Sequence, residues 1–266
     1  MPVVVTDASD PVGGAVVSLL AGAGEVRAFA RGPGAMSLRA IGAKVTERDL
    51  LDGDAIRSAL NDAHTVIHNA DGLFGPGSEL ERTNLESTRK LIRAGQRAGI
   101  RRFLLVSSTG ADAASTNPYL ATKGEAEAAV VGSGFEHAIF RVTLLEQRLQ
   151  EVFPQWLLWR LVPGDGRQLF APVDAGVVAR VLVAADDRAG SVDGTYSLAG
   201  DARRAADLAR SIAPRRPILR ARPGTTSAAR LGVSAEAAEV LAGSRLADRP
   251  DAYSLFDPGR GTPQTH

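Results

Sequence analysis

The sequence predicts an α/β fold built on a doubly wound parallel sheet. Two observations carry that prediction: β-branched runs alternate with amphipathic stretches of helical period, and six such strands fall within the first 142 residues. Val3 to Thr6 reads as the first strand and Val12 to Leu20 as the helix that follows it. Val26 to Ala30 is the second strand, a third lies near Val45, and Val66 to Asn69 is the fourth. From Leu80 to Ala98, Leu85, Thr88, Leu91, Ile92 and Gly95 form an apolar or small-residue stripe, stopped by Gly99 before the strand Phe103 to Val106. Tyr119 to Val131 is the next helix, ended by Gly132, and Ala138 to Val142 is a sixth strand. Right-handed crossovers then place the functional crevice at the strand carboxyl ends, near Thr6, Arg31, Asn69 and Ser107. Beyond Val142 the pattern thins: Gly194 to Leu198 suggests a strand, and Ala205 to Ile212 and Ser227 to Leu241 suggest helices. The segment Val152 to Trp159 holds both tryptophans and reads as core, subunit contact or pocket cover, and the tail from Asp257 as loosely ordered.

Composition bounds the function. A chain of 266 residues that is 44% hydrophobic can bury a large core, so residues 1–266 are read as one domain, with 1–142 as nucleotide-binding-type core and 143–266 as substrate-side segments and C-terminal extension. Thirty-one basic residues against 30 acidic ones leave no electrostatic footprint for nucleic acid or an anionic membrane, which points to a small-molecule partner. The absence of cysteine excludes disulfides and thiolate chemistry, and His64, His68, His137 and His266 lack metal-ligand spacing, so no metal is expected. No apolar run reaches the roughly 18 residues of a membrane span, and the first residues enter a strand directly, so a cytoplasmic protein is expected. A homo-oligomer is compatible with this composition.

An ordered set of motifs adds a family. Val4-Val5-Thr6-Asp7-Ala8-Ser9-Asp10-Pro11-Val12-Gly13, Ala30-Arg31, Arg48-Asp49-Leu50, Val66-Ile67-His68-Asn69-Ala70 and Thr83-Asn84-Leu85-Glu86-Ser87-Thr88 come first. Arg102 to Ser108, Tyr119-Leu120-Ala121-Thr122-Lys123-Gly124-Glu125-Ala126-Glu127 and Pro172-Val173-Asp174 follow. In this order and spacing the chain resembles the atypical and extended short-chain dehydrogenase/reductases, above all their NmrA-like NAD(P)H-binding branch, over the stretch to about Arg141 and more loosely to Ile212. The resemblance implies a Rossmann-type fold and a dinucleotide held by Asp7, Ser9, Asp10, Gly13, Arg31, Asp49, Asn69 and Ala70. Arg31 stands where such proteins meet the 2′-phosphate of NADP, Asp49 near the adenine, and Asn69 and Ala70 on the nicotinamide side.

The first loop departs from the family. Its three glycine positions, which give the tight turn, the approach of the diphosphate and close helix–strand packing, are here Asp7, Asp10 and Gly13. Asp7 adds a Cβ and a charge to the turn, and Asp10 puts a carboxylate where the diphosphate would sit, which opposes ordinary tight dinucleotide binding. Asp10-Pro11 is also a strong helix start, with Asp10 as the N-cap and Pro11 at the first helical position. In that reading Asp10 satisfies the donors a phosphate would otherwise use.

At the reaction end, Tyr119 and Lys123 are four residues apart and share one helix face, so a neighbouring ammonium is expected to lower the tyrosine pKa and make it a general acid/base. By resemblance Lys123 also holds the nicotinamide ribose and Ser108 binds a substrate carbonyl or hydroxyl, with Ser107 and Thr109 as alternatives. His68 reads as packing rather than base, and no nucleophile elbow is present. Three functions follow. The first is an NADP(H)-dependent oxidoreductase or isomerase acting on a small, hydrophobic carbonyl or hydroxyl compound. The second is a cofactor-independent isomerase, lyase or cyclase using Tyr119, Lys123 and Ser108. The third is a non-catalytic NmrA-like sensor or partner-binding protein.

Overall fold

The computed structural model describes residues 1–73, 77–149, 161–163, 166–190, 192–212, 219–221 and 234–256. Seven strands form one parallel sheet: β1 (Val3–Val5), β2 (Val26–Phe29), β3 (Lys44–Thr46), β4 (Thr65–Asn69), β5 (Arg102–Ser108), β6 (Glu136–Val142) and, across the later gap, Gly194–Leu198. Their order is β3-β2-β1-β4-β5-β6 followed by Gly194–Leu198, so the direction of winding reverses between β1 and β4. That reversal opens a crevice at the carboxyl ends of β1 and β4, as the sequence reading requires of a Rossmann-type fold.

Helices cover both faces because every central strand is buried on both sides. On one face lie α1 (Pro11–Leu20) and the helix Ala175–Asp187, which pack on each other through Val12, Val16, Val178 and Leu182. On the other lie α3 (Gly53–Leu60), α4 (Ser87–Ala98) and α5 (Pro118–Val131), around Ile56, Leu60, Leu91, Phe103 and Val130. The helix α2 (Pro33–Ala40), α3 and the helix Ala175–Asp187 carry no expectation from the sequence.

Elsewhere the expected elements need adjustment rather than replacement. The expected helix Leu80 to Ala98 is two pieces, a π-helical turn Glu81–Glu86 running into α4, and α4 ends at Gly99 with φ 72°. That left-handed backbone is why a glycine stands there. The helix Ala205–Ile212 forms as expected, whereas of the expected Ser227 to Leu241 only Ala235–Ala242 is a described helix, capped by Ser234. The tryptophan segment, residues 227–233 and the tail from 257 lie outside the described residues. No helix among the described residues is long and apolar enough to cross a membrane.

Candidate active site

The loop from β1 into α1 is built as a self-capped helix start. Asp10 has extended backbone, φ −75° and ψ 151°, and its Oδ1 accepts from the Val12 amide at 3.0 Å, with Pro11 opening the helix. The same Oδ1 accepts from Asn69 Nδ2 at 3.1 Å, and Oδ2 is bridged by the guanidinium of Arg148. Asp7 takes φ 47°, a left-handed conformation that glycine adopts freely and aspartate tolerates at some cost. Gly13 keeps the packing role: a Cβ there would fall 2.5 Å from the Asp7 carbonyl oxygen and 2.8 Å from Ala8 Cα.

Burial and the neighbouring Asp10 push the Asp7 carboxyl up to about 6, against the lowering pull of Arg148 and Lys123. The charge penalty read from the loop alone therefore needs correction. Asp10 is not a bare carboxylate facing the crevice, because Arg148 neutralises it, and Asp7 holds its proton about two pH units longer than an ordinary aspartate.

Two hollows meet beside this loop. The larger, about 260 Å³, lies over the ends of β2, β3 and β4, and its lining includes Asp7, Ser9, Arg31, Asp49, Asn69 and Ala70. Six of the eight residues assigned to a cofactor from the sequence thus line one cleft, and Asp10 and Gly13 do not. Ser9 and Arg31 clasp each other: Ser9 Oγ donates to the Arg31 carbonyl at 2.9 Å and accepts from its amide at 2.7 Å. Asp49 holds the Arg31 guanidinium at 3.2 Å and is also bridged by Arg82, so burial is outweighed by hydrogen bonds, led by the Leu51 amide, and its carboxyl is lowered.

The smaller hollow, about 30 Å³, is lined by Asn69, Asp71, Ser108, Tyr119, Lys123 and Arg148 among others. Asn117 caps α5 through the amides of Tyr119 and Leu120, which sets Tyr119 in the first turn, one turn from Lys123. Tyr119 Oη donates to Asp71 Oδ1 at 3.0 Å and lies within hydrogen-bonding reach of Ser108. Among the three candidate hydroxyls only Ser108 meets the tyrosine; Ser107 Oγ is turned to Glu127 at 2.5 Å, and Thr109 Oγ1 is buried without a partner.

The electrostatics at Tyr119 reverse the expectation from spacing. Burial, and then the Asp71 carboxylate, raise its pKa well above the ordinary phenol value. Lys123 does not offset this, because its ammonium turns down to the carbonyl oxygens of Ala70 and Val106 and stands 5.8 Å from the ring centroid. Burial lowers the Lys123 pKa. His68 is a packing residue: it is fully buried between Thr6 Oγ1 at 2.7 Å and Thr88 Oγ1 at 2.9 Å, and burial lowers it to about 3.

Asp71 and Arg148 complete the hollow, Arg245 backs it through Ser108, and no local sequence pattern announces the three together. Arg245, which is 6% exposed, donates to Ser108 Oγ at 2.8 Å and to the Thr109 carbonyl. Asp71 directly follows the Asn69-Ala70 pair at the end of β4, so position alone marks it. The two arginines reach the site from beyond β6, and nothing in their local sequence signals it.

The sequence pattern of the NAD(P)H-binding family matches residues 8–155, more than half of the chain. The chain belongs to that family. The mitochondrial protein fmp52-1 of Aspergillus terreus is 33% identical over 101 residues, and the chain spans 44% of that relative's length. Among solved structures, a nucleoside-diphosphate-sugar epimerase from Staphylococcus aureus superposes with a TM-score of 0.78 at 16% identity, covering 100% of this chain and 98% of that one. A Citrobacter sp. triphenylmethane reductase complexed with NADP(H) gives 0.77 at 16% identity, covering 99% and 97%. At such identity these likenesses show the fold alone, a Rossmann-type α/β fold. The chain's own residues agree with the family's cofactor at the adenosine end, where the cleft, the Ser9–Arg31 clasp and the close Gly13 contact stand ready.

Proposed function

We propose that the chain is an NADP(H)-linked oxidoreductase or isomerase of the short-chain dehydrogenase/reductase kind, acting on a small, largely apolar carbonyl or hydroxyl compound. The observation that carries this reading is the placing of Tyr119, Ser108 and Lys123 around one hollow that shares Asn69 with the adenosine-sized cleft. When bound, the nicotinamide supplies the hydride donor or acceptor. The protein supplies orientation, dryness and the proton. Ser108 accepts from Arg245 at 2.8 Å and gives its own proton only to a long 3.4 Å bond to the Thr109 carbonyl, a weak contact that a substrate oxygen can replace. Tyr119, 2% exposed and with its pKa raised, is a phenol at neutral pH and therefore suited to give its proton to an oxygen gaining charge. Lys123, pinned by two carbonyls, places a hydrogen-bond donor beneath the crevice. Leu73, Val106, Val142, Leu144 and Leu145 line the same hollow and favour an apolar substrate.

The preference for NADP(H) rests on Arg31, Arg48 and Arg82 at the adenosine cleft, since clustered guanidinium groups suit a 2′-phosphate. Calorimetric titration with NADPH and NADH tests it. Micromolar NADPH affinity, with NADH weaker by at least about tenfold, is the expected result; no binding of either at millimolar concentration refutes it. One observation supports a second reading, a cofactor-independent isomerase, lyase or cyclase: Asp10 already uses the Val12 amide that a phosphate would seek. In that case Tyr119→Phe abolishes turnover of the substrate while neither dinucleotide binds.

A further inference from the structure

The loop carboxylate and its partner are the feature that the proposed function leaves unexplained. Asp10 is buried, with 2% of its side chain exposed, and spends both oxygens: Oδ1 on the Val12 amide and Asn69, Oδ2 on Arg148. Arg148 comes from the helical turn at 146–149 that follows β6, so the bridge joins segments 138 residues apart. It also borders the crevice beside the smaller hollow. Asn69 lines both hollows and holds Asp10, and Arg148 lines the smaller one. A dinucleotide with its adenosine in the larger hollow and its nicotinamide directed toward the smaller must pass its diphosphate across the junction at Asn69.

A guanidinium fork accepts a phosphate in the geometry in which it accepts a carboxylate. With 26% of its side chain exposed, Arg148 can be reached by a ligand entering the crevice. We propose that Arg148 is a diphosphate-binding residue that exchanges the Asp10 carboxylate for the diphosphate of the incoming dinucleotide, supplying the cation that makes binding compatible with an aspartate in the loop. The inference rests on the NADP(H) reading above. It assigns Asp10 the part of an internal stand-in for the diphosphate, which keeps Arg148 placed and the helix start satisfied until the ligand arrives.

The rival explanation is that Arg148 only neutralises Asp10. A single Arg148 variant does not separate the two, because it leaves Asp10 bare in either case. The decisive pair is Asp10→Gly against Asp10→Gly/Arg148→Gln, titrated calorimetrically with NADPH and, separately, with inorganic diphosphate. Thermal melts check folding, and Asp10→Asn, which keeps a capping oxygen, replaces Asp10→Gly if that variant melts early. Removing the carboxylate should tighten both titrants by at least about tenfold, and adding Arg148→Gln should lose at least about tenfold again. Equal affinities of the two variants for both titrants overturn the proposal. NADPH binding that ignores Arg148 preserves the dinucleotide reading and sinks this one. Diphosphate binding that depends on Arg148, without any NADPH binding, supports the anion site and sinks the dinucleotide reading. Silence of both titrants on both variants overturns both.

Discussion

Replacing Asp7 by asparagine should stabilise the protein above pH 6 and leave it unchanged near pH 4. Asp7 is partly buried, faces Asp10, Asp71, Arg148 and Lys123, and has its carboxyl raised from 3.8 to about 6. A folded-state pKa above the unfolded one means that the native state binds the proton more tightly, so stability is full below pH 4 and is lost as pH rises through 6. Two pH units correspond to about 3 kcal/mol, reduced to about 2 kcal/mol once partial solvent screening is allowed for. Asparagine keeps the shape and tolerates the left-handed φ of 47°, so the backbone term cancels in the comparison. Urea unfolding of both proteins at half-unit steps from pH 4 to 8 measures the difference directly. It should grow from near zero to about 2 kcal/mol, with its midpoint between the two pKa values. A difference that stays flat with pH refutes the assignment of a raised carboxyl to Asp7. The same sign predicts tighter dinucleotide binding as pH falls through 6, because a neutral Asp7 no longer repels the phosphates.

Two further outcomes follow from packing. Gly124→Ala should cost about 3 kcal/mol in urea denaturation, since its Cβ would fall 2.2 Å from the Ala113 nitrogen and 2.4 Å from the Asp112 carbonyl carbon; a loss under about 1 kcal/mol would mean that α5 can shift freely. Arg102→Met should cost about 3 kcal/mol or more. Its guanidinium, 2% exposed, caps the end of the helix Ala175–Asp187 through the carbonyls of Ala185, Asp186, Arg188 and Gly190 and pairs with Glu136 at 2.9 Å, and an unchanged urea midpoint would contradict that role.

What the sequence made legible is the part whose causes are local. β1, β4 and β5 are short apolar runs buried on both faces, Asp10-Pro11 is a helix start, Gly99 needs a left-handed backbone, and Tyr119 and Lys123 share a helix turn; each is decided within a few residues. The helix Ala175–Asp187 went unread although Asp174 caps it and it packs on α1. The Leu80 to Ala98 stripe concealed the π-turn at Glu81–Glu86, because its members run from Leu85 onward, almost wholly within α4, and scarcely sample the turn. The raised Tyr119 pKa is hidden from the sequence for a related reason. Spacing gives the distance along a helix but not the direction in which an ammonium turns, and the carbonyls of Ala70 and Val106 captured Lys123 from other strands.

The same distinction bears on what a lost glycine motif means. Judged from the loop alone, two aspartates in place of two glycines add negative charge where phosphates belong. In the folded chain Asp7, Asp10 and Asp71 stand among Lys123, Arg148 and Arg245, and the latter two cations arrive from segments after β6. If Arg148 exchanges partners as proposed, the crevice is an exchange site rather than a blocked one. A glycine loop leaves its amides open for a phosphate, whereas here the Val12 amide and the Arg148 guanidinium are already satisfied by a carboxylate. Binding then exchanges one anion for another, and its net free energy is the difference between two strong interactions rather than the whole of one. Such a site binds more weakly than its glycine counterpart, and through Asp7 it also becomes sensitive to pH in the range where a glycine loop has nothing to titrate.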